Sequence, residues 1–154
     1  MSSVSKPIFR ALTSLTVVYA AAFAGLEASL GGLQGWYLGA PKPAWCPAPW
    51  LFGVLPLFVF GLLGIAATLA GSLGRRSWLV IGALLVAELA WRLTFFSSHF
   101  AGSAALGIAV TALAVWTSIA LGRARRLAGW LTLPFVLWGC LLTAEAGWMA
   151  RFIV

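Results

Sequence analysis

Trp36-Tyr37-Leu38-Gly39-Ala40-Pro41-Lys42-Pro43-Ala44-Trp45-Cys46-Pro47-Ala48-Pro49-Trp50 is the one long interruption in a chain that otherwise reads as apolar helix. It holds four of the seven prolines and three of the nine tryptophans. Proline limits φ and lowers the entropy of ordering, while tryptophan brings large area and an indole donor suited to a membrane interface. A rigid aromatic loop laid over a small helical bundle reads either as the lid of a site or as an aromatic belt that anchors the loop. The residues leave both readings open.

Outward from this loop, composition sets the class. The chain of 154 residues is 62% hydrophobic and 8% charged, with mean hydropathy +1.02. A soluble domain carries about 25% charged residues. Eight per cent cannot cover a water-facing surface, so an integral membrane protein is expected. Apolar runs of about 20 residues fit spanning helices, whereas barrel strands would alternate polar and apolar. The expected fold is an all-α bundle of five transmembrane helices in a single domain, 1–154. The spans fall near 8–30, 51–73, 78–97, 103–122 and 130–152, with a lid loop over 31–50. In this reading Gly31, Gly32 and Gly35 end helix one, and the Gly71-Ser72-Leu73-Gly74 segment turns the chain after helix two. The run from Ile8 is too long for a signal-peptide core and contains Glu27, so it reads as a retained span.

The formal charge of +7 does not point to nucleic acid. The basic residues sit in short clusters at helix ends, where they fit membrane topology and anionic-lipid contact. With five spans the two termini lie on opposite sides. Lys6, Arg10, Arg75, Arg76, Arg123, Arg125 and Arg126 share one side, against Lys42 and Arg151 on the other. The positive-inside rule then places the N-terminus in the cytoplasm and the C-terminus outside. A multi-pass protein of a bacterial cell membrane, with the lid loop facing outward, is the expectation.

Few residues can carry chemistry. Cys46 and Cys140 form no CxxC or Cys/His cluster, so no metal site and no disulfide framework is expected. His99 has Ser97 and Ser98 nearby but no third partner, and it reads as an interfacial turn residue. Glu27, Glu88, Arg92 and Glu145 fall in spans. A charge at the bilayer centre costs about 2.5–3.5 kcal/mol on insertion scales, so such residues are expected to face the interior and find partners. Glu88 and Arg92 stand at i and i+4 and can neutralise each other along one helix face. Glu88 also lies three before Trp91, and Glu145 lies seven after Trp138, so helices three and five each present an aromatic beside a carboxylate. Two such faces turned inward would form an apolar pocket with acidic anchors, the general form of a small-molecule site. Plain core packing is the competing reading.

These residues also resemble the TspO/MBR family, the tryptophan-rich sensory proteins that include the mitochondrial translocator protein. The resemblance rests on Trp36-Tyr37, Lys42-Pro43, Trp45, Pro47, Trp50 and Gly64, on Trp91 with Phe95 and Phe96, and on Arg126, Ala128-Gly129, Leu131, Pro134 and Trp138. It covers nearly the whole chain. It implies a five-helix bundle, usually dimeric, with a ligand cavity beneath the first loop. It further implies binding of porphyrins, other tetrapyrroles, sterols or benzodiazepine-type ligands, in transport, sensing or breakdown of tetrapyrroles. Porphyrin or haem would then be a ligand, with no cofactor required. Carried over by position, the ligand-binding residues are Tyr37, Trp45, Pro47, Trp50, Phe52, Glu88, Trp91, Phe95, Trp138, Leu142 and Glu145. The implied partners are a hydrophobic small molecule, the lipid bilayer and a second copy of the chain.

The departures from the family pattern define what is particular here. Pro56 replaces a tryptophan, Phe60 and Phe135 replace tyrosines, Ala48 replaces a proline, and Ala146 replaces an asparagine. Glu88 stands for an asparagine and Glu145 for an apolar residue. The C-terminal sterol-recognition pattern lacks its tyrosine. The leading expectation is a TspO-type binding protein for sensing or transport, with a more acidic cavity suited to a cationic or amphiphilic ligand. Three alternatives belong to other classes. A tetrapyrrole-degrading enzyme acting at Trp138 would lose its activity in Trp138→Phe. A proton-coupled exporter using Glu88 or Glu145 would show flux driven by a pH gradient. A structural subunit would copurify with stoichiometric partners.

Overall fold

The computed structural model describes residues 5–71 and 74–153. Five helices are long and apolar enough to cross a membrane. Helix α1 spans Ser5–Gly32, α2 Leu51–Leu69, α3 Arg75–Phe96 and α4 Phe100–Ala124. The fifth crossing is made of a short α5, Arg126–Leu131, and α6, Leu133–Phe152. α1 packs on α2 and α3, α3 on α4, α4 on α5 and α6, and these return to α2. The five crossings therefore close into a ring, with the buried aromatics inside it.

Two boundaries differ from the sequence reading. The glycines at 31, 32 and 35 do not end helix one. The helix runs on through a wider turn, Leu33–Tyr37, and only Gly35 (ψ −110°) leaves helical geometry. Gly32 serves close approach instead: a Cβ there would stand 2.5 Å from the carbonyl oxygen of Phe96. The open loop is consequently shorter than 31–50, beginning near Ala40. The last crossing begins at Arg126 rather than 130 and breaks at Thr132. Pro134 has no amide to donate back to Trp130, which breaks the helix there, and the Thr132 hydroxyl at the break donates to the Gly129 carbonyl at 2.7 Å. Helix α2 is helical to Leu69; Ser72 and Leu73, in the expected turn, lie outside the described residues.

Small residues let the helices approach. On α4 and α6, Gly107 faces Thr143 and Gly139 faces Thr111, and a Cβ at either glycine would lie within 2.9 Å of the facing threonine. This reciprocal glycine–threonine packing joins the two helices along their length. The buried face of α1 is Ser14, Val18, Ala22, Gly25 and Ser29. Ala20, Ala24 and Glu27 lie on its exposed side. The inward orientation expected of every intramembrane carboxylate thus fails for Glu27, because two residues past Gly25 a helix has turned away from the core.

Candidate functional site

The aromatic core beneath the loop is built from four of the five crossings. Tyr37 comes from the end of the α1 extension, Phe52 from α2, Trp91 and Phe95 from α3, and Trp138, Leu142 and Glu145 from α6. All seven are buried. Trp91 and Phe95 stack one turn apart at 4.7 Å. Phe52 meets Tyr37 at 5.3 Å and Trp138 at 5.7 Å, both edge to face. Such pairs add about 0.5–1.5 kcal/mol beyond their burial.

Glu145 ties this core to the loop. The Tyr37 hydroxyl donates to Glu145 Oε1, and the Cys46 thiol donates to the same oxygen at 2.9 Å. Tyr37 Oη and Cys46 Sγ are themselves 3.2 Å apart. One carboxylate oxygen on α6 thereby fastens both the end of the α1 extension and the middle of the loop. Burial, and then the hydrogen bond to Glu145, push the Cys46 thiol up to about 12. Lys42 fastens the loop from the other side. Its ammonium donates to the carbonyls of Tyr37 and, at 3.0 Å, Ala40, and lies 4.5 Å from the centre of the Tyr37 ring. A lysine here satisfies the carbonyls left open where the α1 extension ends. Trp36 completes the attachment by donating from its indole to the Phe96 carbonyl at 2.9 Å.

The eleven residues singled out from sequence do not all meet. Trp45 and Trp50 are exposed, pointing away from the core, and Pro47 is half-buried in the loop. Glu88 is buried beside the core, but its Oε1 accepts from Arg92 Nε at 2.8 Å, one turn on. Arg92 Nη1 also donates to Ser29 of α1 at 3.1 Å. Gly25 makes room for this pair: a Cβ there would meet the Arg92 Cδ at 2.8 Å. The charge of Glu88 is therefore matched within α3, and Glu145 is the carboxylate at the loop. The sequence reading missed Cys46 and Lys42 as partners. A loop has no periodicity, so nothing in the spacing of Tyr37, Lys42 and Cys46 announces that they converge.

Four buried polar atoms around this core make no hydrogen bond among the described residues. They are Trp91 Nε1, Trp138 Nε1, Arg92 Nη2 and Glu145 Oε2. Three are donors and one is an acceptor. An unsatisfied buried polar group costs about 1–3 kcal/mol. Among the described residues no three His, Cys, Asp or Glu side chains gather as a metal site.

A profile of the TspO/MBR family matches residues 12–149. The chain belongs to the TspO/MBR family. A relative, the tryptophan-rich protein TspO of Archaeoglobus fulgidus, is 27% identical over 135 residues, which cover 85% of this chain and 88% of that one. This TspO/MBR protein is thus a multi-pass membrane protein with the family's five-crossing bundle. Trp36, Tyr37 and Lys42 of the motif attach its loop.

Proposed function

We propose that this TspO-type protein binds a hydrophobic, amphiphilic small molecule of tetrapyrrole-like shape and size within the aromatic core beneath the loop, for sensing or transport. The observation that carries the reading is the set of unpartnered polar atoms in an otherwise apolar, aromatic enclosure. Trp91 Nε1, Trp138 Nε1 and Glu145 Oε2 are aligned with the general pattern of a ligand site, mostly aromatic walls with a few polar groups to fix orientation. Tyr37, Phe52, Phe95 and Leu142 supply the walls, and the loop with Trp45, Pro47 and Trp50 is the lid. Entry requires the Tyr37–Glu145–Cys46 linkage to release, because those bonds hold the lid down.

Glu88 has its charge matched by Arg92, so Glu145 is the group that sets charge preference. The test is a titration of purified protein with protoporphyrin, haem and a cationic amphiphile, followed by tryptophan quenching. Saturable quenching by at least one of them is expected, weakened in Trp138→Phe. Glu145→Gln is expected to lower the affinity for the cationic amphiphile and leave that for protoporphyrin equal or higher. Absence of saturation by all three, or identical affinities in both variants, would overturn the reading. We further propose that the loop lies on the outer side of the membrane, on the strength of the basic residues gathered at the opposite end of the bundle.

A further inference from the structure

A concavity lies at the end of the bundle away from the loop, on the outer face of α3 and α4. It encloses about 510 Å³. Val80 of α3 and Ile119 of α4 give it apolar flanks, and Arg76 and Arg123 stand at its end. The Arg76 guanidinium lies 6.0 Å from the centre of the Trp116 ring, also in the lining.

Three features specify an occupant. The first is length. The α4 residues of the lining run from Ala112 to Arg123, about 16 Å at 1.5 Å per residue. That is about half of a hydrocarbon core roughly 30 Å thick, the depth of one leaflet. The second is charge. The chain has three acidic side chains, and none stands near this groove. Glu27 is on the exposed side of α1, Glu88 is paired with Arg92, and Glu145 is bonded to the loop. Arg76 and Arg123 thus converge from two helices with no carboxylate from the chain to neutralise them. The third is position. Both arginines sit at helix ends, and the apolar residues of the groove continue from them along α3 and α4.

We propose that the α3–α4 groove is a site for an anionic phospholipid, with one acyl chain along Val80 and Ile119 and the headgroup phosphate held by Arg76 and Arg123. Arginine suits phosphate because its planar fork can donate two parallel hydrogen bonds. Trp116 positions the Arg76 guanidinium through its ring face. The site is separate from the aromatic core and does not depend on what that core binds.

The full chain is reconstituted in phosphatidylcholine vesicles containing a minor fraction of lipid with brominated acyl chains, either phosphatidylglycerol or phosphatidylcholine. Tryptophan quenching reads the lipid next to the protein. Brominated phosphatidylglycerol is expected to quench several-fold more effectively than brominated phosphatidylcholine at equal fraction. Both Arg76→Gln/Arg123→Gln and Trp116→Phe are expected to remove most of that difference. Arg125→Gln, which alters an exposed arginine at the same end outside the groove, is expected to leave it intact. Equal quenching by the two lipids would overturn the proposal. So would a loss in Arg125→Gln as large as in the paired variant, which would reduce the effect to a general basic surface.

Discussion

Glu145 is a single side chain on which the loop, the core and the proposed ligand chemistry all depend. Its Oε1 receives both Tyr37 and Cys46, while Oε2 has no partner among the described residues. Replacing it by alanine strands a buried hydroxyl and a thiol, at a cost of about 1–3 kcal/mol, and frees the loop. Cys46 reports this directly. A thiolate is the form that alkylates, and an ordinary cysteine is partly ionised near pH 8.5. With its thiol pushed up to about 12, Cys46 stays protonated at pH 8 and reacts slowly; the rate rises only as pH climbs toward 12. In a Cys140→Ala background, maleimide labelling of Cys46 at pH 8 should therefore be slow, and at least tenfold faster in Glu145→Ala. Equal rates would mean that Glu145 does not hold the thiol. The Glu88–Arg92 pair behaves differently because both partners are buried in one helix. Arg92→Met leaves Glu88 uncompensated and should cost about 3–5 kcal/mol, whereas Glu88→Leu with Arg92→Met should recover most of it. Thermal unfolding in detergent of both variants checks this.

At the scale of the element, periodicity and proline placement were readable and backbone continuity was not. The five apolar runs are visible in the sequence because lipid demands about 20 apolar residues per crossing. The pairing of Glu88 with Arg92 was also readable, since i and i+4 on one helix must meet. The extension of α1 past Gly32 was not readable. A glycine ends a helix when it takes up left-handed geometry, as at a C-cap, but it also serves where another backbone must come close, and the sequence does not distinguish the two. Gly32 is of the second kind, against Phe96. The direction of Trp45 and Trp50 was hidden for a related reason: a loop has no period from which to read which side is buried. The contact of α4 with α6 depends most sharply on glycine. Gly107→Val would drive a branched side chain into the Thr143 backbone, whose Cα would lie 2.9 Å from the new Cβ. Backbone cannot swing aside as a side chain can. A loss of about 1–3 kcal/mol is expected, read as a lower melting temperature, while Gly147→Ala, with open space around it, should be near neutral.

For the whole molecule, the ring of five crossings places the loop at one end and the arginine clusters at the other. Arg75, Arg76, Arg123, Arg125 and Arg126 all fall at the ends of α3, α4 and α5 away from the loop. A reporter fused to the C-terminus should accordingly be active only outside the cytoplasm; a cytoplasmic signal would reverse the orientation of the loop and of the lipid groove together. The closure of the ring also explains why a shared interior was legible in the sequence while its packing was not. Spacing set Trp91 beside Glu88 and Trp138 beside Glu145; Tyr37, Phe52, Phe95 and Leu142 joined them only through the family resemblance, and Tyr37, Phe52, Trp91, Phe95, Trp138, Leu142 and Glu145 are buried together. That they pack against one another, with the loop fastened by Glu145, follows from distances no spacing encodes. The proposed binding within this core is tested most directly by photolabelling with a diazirine-bearing porphyrin, followed by mass-spectrometric mapping of the modified residues. Labels are expected on Trp91, Phe95, Trp138 and Leu142, suppressed by excess unlabelled protoporphyrin. Labels confined to the exposed Trp116 and Trp130, or labelling that excess ligand does not suppress, would contradict it.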